Sequence, residues 1–362
     1  MADRCGRVLI MAGGTGGHVY PALAIARAMQ SRGYDVEWLG TSRGLEARVI
    51  PETGIKLNTL SVSGLRGKGL IDSLRAILMM PVALIQAFLV VFRYRPGCVL
   101  GMGGYAAAPG GLVSWLLRRP LIIHEQNAVA GTTNRLLAPL ANRVCAAYPK
   151  AFASRENVIE VGNPVRAEIV ALRENWRARK EGSAVLNVLV LGGSLGARAL
   201  NEVVPDALAK LPDGLLQIWH QCGENNLETT AAHYSKLGLE VRLEPYIEDM
   251  AAAYAWADIA FCRAGALTCA ELAIAGVPSI LVPLPGAIDD HQTENARVLE
   301  RASAAYLMPQ SAMDVEALSE ILQACAENRE NLEHMAEAAF KMGWVDSVDR
   351  ICGVCTEVFR DY

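Results

Sequence analysis

Short runs of Val, Ile and Leu alternate along this chain with longer segments in which apolar residues recur every three or four positions. Apolar runs bounded by turn residues predict buried strands, and the longer pattern predicts amphipathic helices. Strands that alternate with helices are typical of a parallel sheet covered on both faces. The predicted strands are residues 8–12, 36–39, 99–100, 121–124 and 144–147, then 187–191, 216–219, 241–243, 259–262 and 279–282.

Both halves of the chain open with a strand, a glycine-rich turn and a helix. Residues 7–18 read Arg-Val-Leu-Ile-Met-Ala-Gly-Gly-Thr-Gly-Gly-His, and residues 187–197 read Asn-Val-Leu-Val-Leu-Gly-Gly-Ser-Leu-Gly-Ala. The first helix is predicted over residues 21–32, because Pro21 suits a first helical turn. The repetition predicts an α/β protein of two Rossmann-like, doubly wound domains.

Gly162 and Pro164 interrupt the pattern between the two halves. We therefore predict one domain over residues 1–163 and a second over residues 164–340, each long enough to bury its own core. Open α/β sheets bind ligands at the carboxyl ends of their strands. Facing domains would bring both sets of glycine-rich turns to one cleft.

Composition narrows the class of protein. Of the 362 residues, 52% are hydrophobic and 6% aromatic, which is typical of a globular α/β protein. The 34 basic and 38 acidic residues leave a formal charge of -4, so no overall positive field attracts a nucleic acid. The first residues contain no signal-peptide pattern, and we expect a cytoplasmic protein.

The nine cysteines are an odd number spread over a long chain, which predicts reduced thiols. Cys352 and Cys355 have the spacing of a redox pair, but they lie in a helical pattern near the end of the chain. We predict that both are inert.

Three glycine-rich turns are the strongest chemical signal. They lie at residues 13–17, 101–105 and 192–196. A glycine-rich turn before a helix exposes backbone N–H groups at the positive end of the helix dipole, where anions bind. The alternative is that these glycines serve only close packing. No acidic residue ends the second strand and no Walker sequence occurs, so neither dinucleotide nor P-loop binding is predicted.

The segment 262–271 is the richest of the second half. Backbone N–H groups at Leu267 and Thr268 suit a diphosphate, and Arg263 suits a charge-assisted contact with it. Glu271 lies one turn further along and suits ribose hydroxyls. Its alternative role is to stabilise the positive end of the helix dipole.

At these residues the chain resembles the MurG family of inverting bacterial glycosyltransferases over nearly its whole length. The resemblance rests on residues 13–18, 101–105, 124–127, 162–166, 192–198, 263–271 and 290–296. It implies the GT-B architecture, with UDP-GlcNAc bound mainly by the second half and undecaprenyl-diphosphate-MurNAc-pentapeptide by the first. It also implies that a C-terminal helix over residues 341–362 crosses back to the first domain, and that the protein lies on the cytoplasmic face of the inner membrane.

The resemblance also implies roles for single residues. Uracil is expected at the backbone of Ile247, ribose at Glu271, and sugar hydroxyls at Gln292 with Asn295. The implied donor-binding residues are Thr15, Gly16, Gly17, Asn127, Arg166, Ser194, Ile247, Arg263, Ala266, Leu267, Thr268, Cys269, Ala270, Glu271, Gln292 and Asn295. The implied acceptor-binding residues are Gly13, Gly14, Gly103, Gly104 and Tyr105. Leu195 and His291 depart from the family's usual residues.

An inverting transfer needs a base and a group that stabilises the departing UDP. His18 is the first candidate base, since imidazole accepts a proton near neutral pH, and Glu125 is the second. His18 has the alternative of capping the turn or binding phosphate. The helix start at Leu267, with Arg263, is expected to stabilise the departing charge. The sequence contains no Asp-x-Asp pair, so no metal and no cofactor is expected to be required, and only a stimulating role is left open for magnesium.

Residues 76–92 form a strongly apolar segment flanked by arginines. As a helix of seventeen residues it would reach about 25 Å, too short for a bilayer core of about 30 Å, and Pro81 is expected to kink it. It is either an internal helix pair or a surface that rests on anionic lipid.

These observations favour a UDP-GlcNAc-dependent transferase that makes the final lipid-linked peptidoglycan precursor. Two alternatives remain open at this point. One is a UDP-GlcNAc 2-epimerase of the same architecture, and the other is a sugar-nucleotide sensor without catalytic activity.

Overall fold

The structure is a computed structural model that describes residues 6–62, 70–152, 155–176, 185–193 and 196–361. The chain divides into two compact units. The first comprises Met1–Arg166 and Asp346–Tyr362, and the second comprises Ala167–Val345. Each unit is built on one parallel sheet.

The sheet of the first unit has seven strands in the order β3-β2-β1-β4-β5-β6-β7. The strands are β1 Arg7–Met11, β2 Asp35–Thr41, β3 Lys56–Leu60, β4 Cys98–Gly101, β5 Leu121–Glu125, β6 Arg143–Ala146 and β7 Val158–Glu160. All neighbouring pairs are parallel. The strand order reverses between β1 and β4, the position at which doubly wound sheets bind ligands.

The sheet of the second unit repeats this arrangement with six strands in the order β10-β9-β8-β11-β12-β13. The strands are β8 Leu186–Leu191, β9 Leu216–Gln221, β10 Arg242–Glu244, β11 Ile259–Cys262, β12 Ser279–Leu281 and β13 Ala305–Leu307. Here the order reverses between β8 and β11. The expected α/β class with two Rossmann-like, doubly wound sheets is confirmed.

Helices connect the strands. Those of the first unit are α1 Gly16–Ser31, α2 Glu46–Val49, α3 Leu70–Tyr94, α4 Ala107–Leu116 and α5 Thr132–Leu137. Those of the second unit are α6 Ala167–Val170, α7 Arg198–Leu208, α8 Leu227–Lys236, α9 Met250–Trp256, α10 Ala266–Ala275, α11 His291–Arg301, α12 Val315–Glu327 and α13 Arg329–Met342. The last helix, α14 Ser347–Asp361, belongs to the first unit.

Helix α14 packs its apolar side onto the core beneath β1 and β4. Ile351, Cys352 and Cys355 are fully buried there, in the same cluster as Val8. The helix also lies against α1, where Asp349 forms an ion pair with Arg32. The two CxxC cysteines are therefore core residues of a helix.

Two predictions about helices are wrong. Helix α1 begins at Gly16, so Pro21 lies inside the helix and not in its first turn. Helix α3 has 25 residues instead of seventeen, with Pro81 inside it, so its length alone does not make it too short for a bilayer core. Within the described part of the chain, no helix is both long and apolar enough to cross a membrane.

Helix α3 is apolar on both its buried and its exposed sides. Ala83, Ala87 and Val91 are fully buried and lie on the inner face of the helix. The other face leaves large apolar side chains in solvent, and these are Leu78, Val82, Ile85, Phe88, Leu89 and Phe92. The polar bonds between Gln86 and Ser61 tie the helix to the end of β3.

Candidate functional site

The first glycine-rich turn places His18 at the start of α1. The Thr15 carbonyl accepts the backbone N–H groups of His18 and Val19, both at 3.1 Å, which begins the helix. The Thr15 hydroxyl lies 3.3 Å from Nδ1 of His18. Thr15 is exposed and His18 is half-buried.

The second glycine-rich turn packs directly against the first. A Cβ atom on Gly103 would lie 3.2 Å from Nε2 of His18, and one on Gly104 would lie 2.5 Å from the Gly13 carbonyl oxygen. Both residues also have positive φ values, 88° and 78°. Only glycine fits here, because the two turns interlock and the His18 ring occupies the space beside Gly103. Tyr105, half-buried, lies near Gly14 in the same cluster.

Glu125 ends β5 with both carboxylate oxygens occupied. One oxygen accepts the backbone N–H and the side-chain amide of Asn127, each at 3.0 Å. The other accepts the Gly131 N–H at 3.0 Å and the Asn134 amide at 2.8 Å. Four donors stabilise a carboxylate that is only 2% exposed. These contacts favour a role in holding the Asn127 loop.

Asn134 is a member of this cluster that sequence reasoning missed. Its amide also donates to the His124 carbonyl at 2.9 Å, and it lies 3.5 Å from the position of a Cβ on Gly103. It joins the loop after β5 to the turn beside His18. A polar residue in a short helix gives no sequence signal for this contact.

In the second unit, α10 begins at Ala266 with Gly265 as its N-cap residue. Leu267 and Thr268 are half-buried in its first turn. Cys269 is buried, and its backbone N–H donates to the Gly265 carbonyl as part of the helix. Burial raises the pKa of the Cys269 thiol to about 12. Ala270, half-buried, follows on the same turn.

The Arg263 guanidinium is engaged by its own unit. It donates to the carbonyls of Val282 and Pro283, at 3.2 and 3.3 Å, and to the Gln310 side chain at 2.7 Å. Burial lowers its pKa, since the charged form loses hydration. In this conformation Arg263 holds the chain after β12, and reaching a diphosphate would require it to exchange these partners.

Three other residues expected to bind UDP-GlcNAc lie around the start of α10. Glu271 is 4% exposed and accepts the Tyr254 hydroxyl at 3.0 Å. Asn295 is fully buried and donates to the Ala264 carbonyl at 3.2 Å, just before the helix. The Gln292 side chain accepts the Leu284 N–H at 2.9 Å. The last two side chains support the loops around α10.

Ile247 is buried beside a pocket with aromatic walls. The pocket is lined by Trp219, Arg242, Glu244, Tyr246, Ile247, Glu248, Asp249, Ala252 and Trp256. The Arg242 guanidinium stacks over the Trp219 ring at 3.4 Å from its centroid. The pocket borders the Ile247 backbone, which is expected to hold uracil.

The third glycine-rich turn is braced by the end of β9. The Gly192 N–H donates to the Gln221 carbonyl at 3.1 Å, and the Gln221 amide donates to the Gly193 carbonyl at 3.0 Å. Gly196, at φ 74°, leaves no space for a side chain against the Cys222 carbonyl. Ser194 and Leu195 lie outside the described residues.

Two further candidates are Arg166 and His291. Arg166 is half-buried at the last position of the first unit's long segment, and His291 is half-buried at the start of α11. Asp289 and Asp290 precede α11 with left-handed backbone, and Asp290 accepts the Thr293 hydroxyl. Among the described residues, no group of three or more His, Cys, Asp or Glu side chains is arranged to hold a metal ion.

The chain matches two parts of one enzyme family. Residues 8–146 match the glycosyltransferase family 28 N-terminal domain, and residues 187–351 match the glycosyltransferase family 28 C-terminal domain. Among solved structures, MurG of Acinetobacter baumannii is similar with a TM-score of 0.85 and 40% identity, covering 97% of this chain and 99% of that one. The GT-B class expected from the sequence is thereby confirmed.

Curated relatives are similar to this chain over nearly its full length. A protein of Ectopseudomonas mendocina (strain ymp) is 50% identical over 358 residues, 98% of this chain and 99% of the relative. A protein of Pseudomonas aeruginosa (strain LESB58) is 50% identical over 356 residues with the same coverage. Both carry the name UDP-N-acetylglucosamine–N-acetylmuramyl-(pentapeptide) pyrophosphoryl-undecaprenol N-acetylglucosamine transferase. This chain is a glycosyltransferase that belongs to family 28, within the MurG family of N-acetylglucosamine transferases.

Proposed function

We propose that this chain transfers N-acetylglucosamine from UDP-GlcNAc to the C4 hydroxyl of MurNAc in undecaprenyl-diphosphate-MurNAc-pentapeptide, converting lipid I to lipid II in peptidoglycan synthesis. The observation that carries the proposal is the identity of about half of all positions, over nearly the full chain, with relatives named for this reaction. The position of His18 at the first glycine-rich turn, half-buried and beside Gly103, supports it.

In this proposal His18 is the base. Its ring takes the proton of the acceptor hydroxyl as that oxygen attacks C1 of the donor sugar, and the C1–O bond to UDP breaks with its electron pair going to UDP. The attack comes from the face opposite UDP, so the configuration at C1 inverts. The Glu125 contacts support a different role for that residue, since both of its oxygens are already occupied by donors of its own loop and of α5.

The second unit holds UDP-GlcNAc in this proposal. The N-terminus of α10 stabilises the charge that develops on the departing diphosphate, because its first N–H groups and the helix dipole favour an anion. The Ile247 backbone holds the uracil ring. Glu271, oriented by the Tyr254 hydroxyl, accepts hydrogen bonds from the ribose. The reaction needs no metal or cofactor in this scheme.

The exposed face of α3 is proposed to rest on an anionic membrane, which would place the enzyme at the cytoplasmic side of the inner membrane. Ile85 is 61% exposed and Phe88 43%, and Arg93 and Arg95 are exposed at the end of the helix. An apolar face flanked by basic side chains binds anionic lipid surfaces through both area burial and charge. The acceptor, with its polyprenyl chain, is met at such a surface.

The membrane proposal is tested with Ile85→Glu plus Phe88→Glu, since Leu84, a more obvious apolar position, packs against the core. We expect this double variant to lose cosedimentation with vesicles of phosphatidylglycerol and phosphatidylethanolamine. The matched control is Leu284→Glu, an exposed apolar residue of the second unit. Equal vesicle binding by the double variant and the wild type would refute docking through α3.

Two other functions are separated by one experiment with labelled UDP-GlcNAc. A UDP-GlcNAc 2-epimerase of Neisseria meningitidis matches with a TM-score of 0.68 but 15% identity, which shows a shared fold alone. We expect label to move to lipid only when the lipid-diphosphate-MurNAc acceptor is present. Epimerised sugar nucleotide without acceptor would indicate the epimerase, and bound but unchanged label would indicate a sensor.

A further inference from the structure

A buried carboxylate stands behind the first glycine-rich turn. Glu46, the first residue of α2, is fully buried. One of its oxygens accepts the Thr41 backbone N–H at 2.9 Å and the Thr41 hydroxyl at 2.7 Å. The other accepts the Gly14 N–H at 2.9 Å. These donors are uncharged, and hydrogen bonds to a carboxylate are stronger than those between neutral groups.

Three glycines from different segments make the space for this side chain. A Cβ on Gly13 would lie 2.5 Å from Oε1 of Glu46, and one on Gly40 would lie 2.7 Å from its Cγ. A Cβ on Gly44 would collide with the same carboxylate. The end of β2, the loop before α2 and the first glycine-rich turn are therefore shaped around one carboxylate.

The contact reaches the candidate base through a short series of neighbours. The Gly14 N–H points at Glu46, which fixes the left-handed backbone of Gly14 at φ 97°. The adjacent Gly13 carbonyl packs under Gly104, and the next turn carries Gly103 beside the His18 ring. Displacing Gly13 and Gly14 would therefore displace the start of α1 and the space around His18.

We propose that Glu46 is a positioning residue for the transfer reaction, which holds the first glycine-rich turn in the form that presents His18 to the acceptor. It touches no substrate. The Gly14 N–H, expected from the resemblance to bind the acceptor, is instead directed into the protein and towards the Glu46 carboxylate. An acceptor diphosphate at this turn would have to be bound by the later N–H groups of the turn.

Glu46→Gln is the informative change because it keeps the size of the side chain. One oxygen remains to accept the Thr41 donors, but the new amide then faces the Gly14 N–H, donor against donor. We expect the turn to shift and kcat for transfer to fall about tenfold to a hundredfold, since a misplacement of about 1 Å at a reacting group costs up to about a hundredfold. The dissociation constant for UDP, whose base, ribose and diphosphate are expected at the second unit, should not change.

The matched control is Glu37→Gln, a half-shielded carboxylate on the same strand β2 that pairs with Lys56 and Asn58 instead of the turn. Its kcat should equal that of the wild type. Thr41 gives a second pair of variants if Glu46→Gln does not fold. Thr41→Val removes the hydroxyl donor and should lower kcat, whereas Thr41→Ser keeps the hydroxyl and should retain it.

The test rests on the proposed function, because it measures lipid-linked product. If the wild type makes no such product, the proposed function fails. If the wild type is active and folded Glu46→Gln, or Thr41→Val, turns over within twofold of it, the proposal for Glu46 is overturned. A loss of UDP binding that parallels the loss of kcat would overturn it also, since it would indicate a general structural defect.

Discussion

Mild acid should destabilise both units of this enzyme through two buried histidines. His124 in β5 and His220 in β9 are fully buried. Burial lowers the pKa of His124 to about 4 and that of His220 to about 3, because the charged ring loses its hydration. In the unfolded chain both rings titrate near pH 6.5.

The neighbours of both rings match a neutral imidazole. Nε2 of His124 lies 2.9 Å from the Gly162 carbonyl, and its Nδ1 has no hydrogen-bond partner among the described residues. Nδ1 of His220 lies 2.8 Å from the Tyr234 hydroxyl, and its Nε2 lies 3.0 Å from the side-chain oxygen Oδ1 of Asn201. The neutral His220 ring donates from Nε2 to Asn201 and accepts the Tyr234 hydroxyl at Nδ1. A second proton on His124, at Nδ1, finds no acceptor among the described residues.

The sign of the effect follows from proton binding. Between about pH 6.5 and 4 the unfolded state binds nearly two more protons than the native state, so stability is greatest above pH 6.5 and falls with falling pH. Each histidine contributes a slope of about 1.4 kcal/mol per pH unit in that window. At pH 5 the loss relative to pH 8 is about 2 kcal/mol for each ring.

The assay is denaturant unfolding of the wild type, His220→Gln and His124→Gln at pH 8, 7, 6 and 5. Carboxylates titrate alike in all three proteins, so the difference in slope isolates each histidine. Between pH 6 and 5, we expect the free energy of unfolding of each variant to fall less steeply than that of the wild type, by about 1.4 kcal/mol per pH unit. Equal slopes in wild type and variants would refute the assignment of buried neutral rings.

Three further predictions concern single contacts. Gly104→Ala should abolish most transfer activity in a kinetic assay, since its Cβ would lie 2.5 Å from the Gly13 carbonyl oxygen at a positive φ; normal turnover would contradict the interlocked turns. Tyr254→Phe should weaken UDP-GlcNAc binding measured by calorimetry by about tenfold, because the Glu271 carboxylate loses a hydrogen bond worth about 1.5–3 kcal/mol; an unchanged dissociation constant would contradict it. Cys352 should react slowly with a thiol reagent at pH 8 in the native protein, since burial raises its pKa to about 12; rapid labelling would contradict an inert core thiol.

The strands in the middle of each sheet are predictable from the sequence to within a residue or two. They are covered on both faces and so appear as unbroken apolar runs. The apolar pattern does not predict two edge strands, β3 and β13, because each pairs on one side only and carries exposed or half-buried positions. In β3 only Leu60 is buried.

The limits of helices are harder to predict than their existence. Helix α3 extends beyond its apolar run into residues 70–75, where Asp72, Ser73 and Arg75 interrupt the apolar pattern although the backbone stays helical. Pro21 and Pro81 both lie inside helices, where sequence reasoning expects a start or a kink. Tertiary packing on the sheet outweighs these local preferences.

The candidate site was predictable as residue types but not as contacts. Glycine-rich turns and His18 are visible in the sequence, since their spacing follows a strand. The bonds of Glu46 to Gly14, across 32 positions, and of Asn134 to Glu125 depend on how separate elements pack. Arg263 shows the same limit, because its sequence position suggests a phosphate contact while its guanidinium bonds to carbonyls of its own unit.

The central claim is that the His18 ring removes the acceptor proton in a transfer of N-acetylglucosamine. The most direct measurement compares kcat for lipid-linked product in the wild type and His18→Ala at saturating UDP-GlcNAc and acceptor, with UDP-GlcNAc binding measured in parallel. We expect unchanged binding and a kcat about 10²–10⁴-fold lower, the usual contribution of a general base. A His18→Ala protein that turns over within about threefold of the wild type would contradict it.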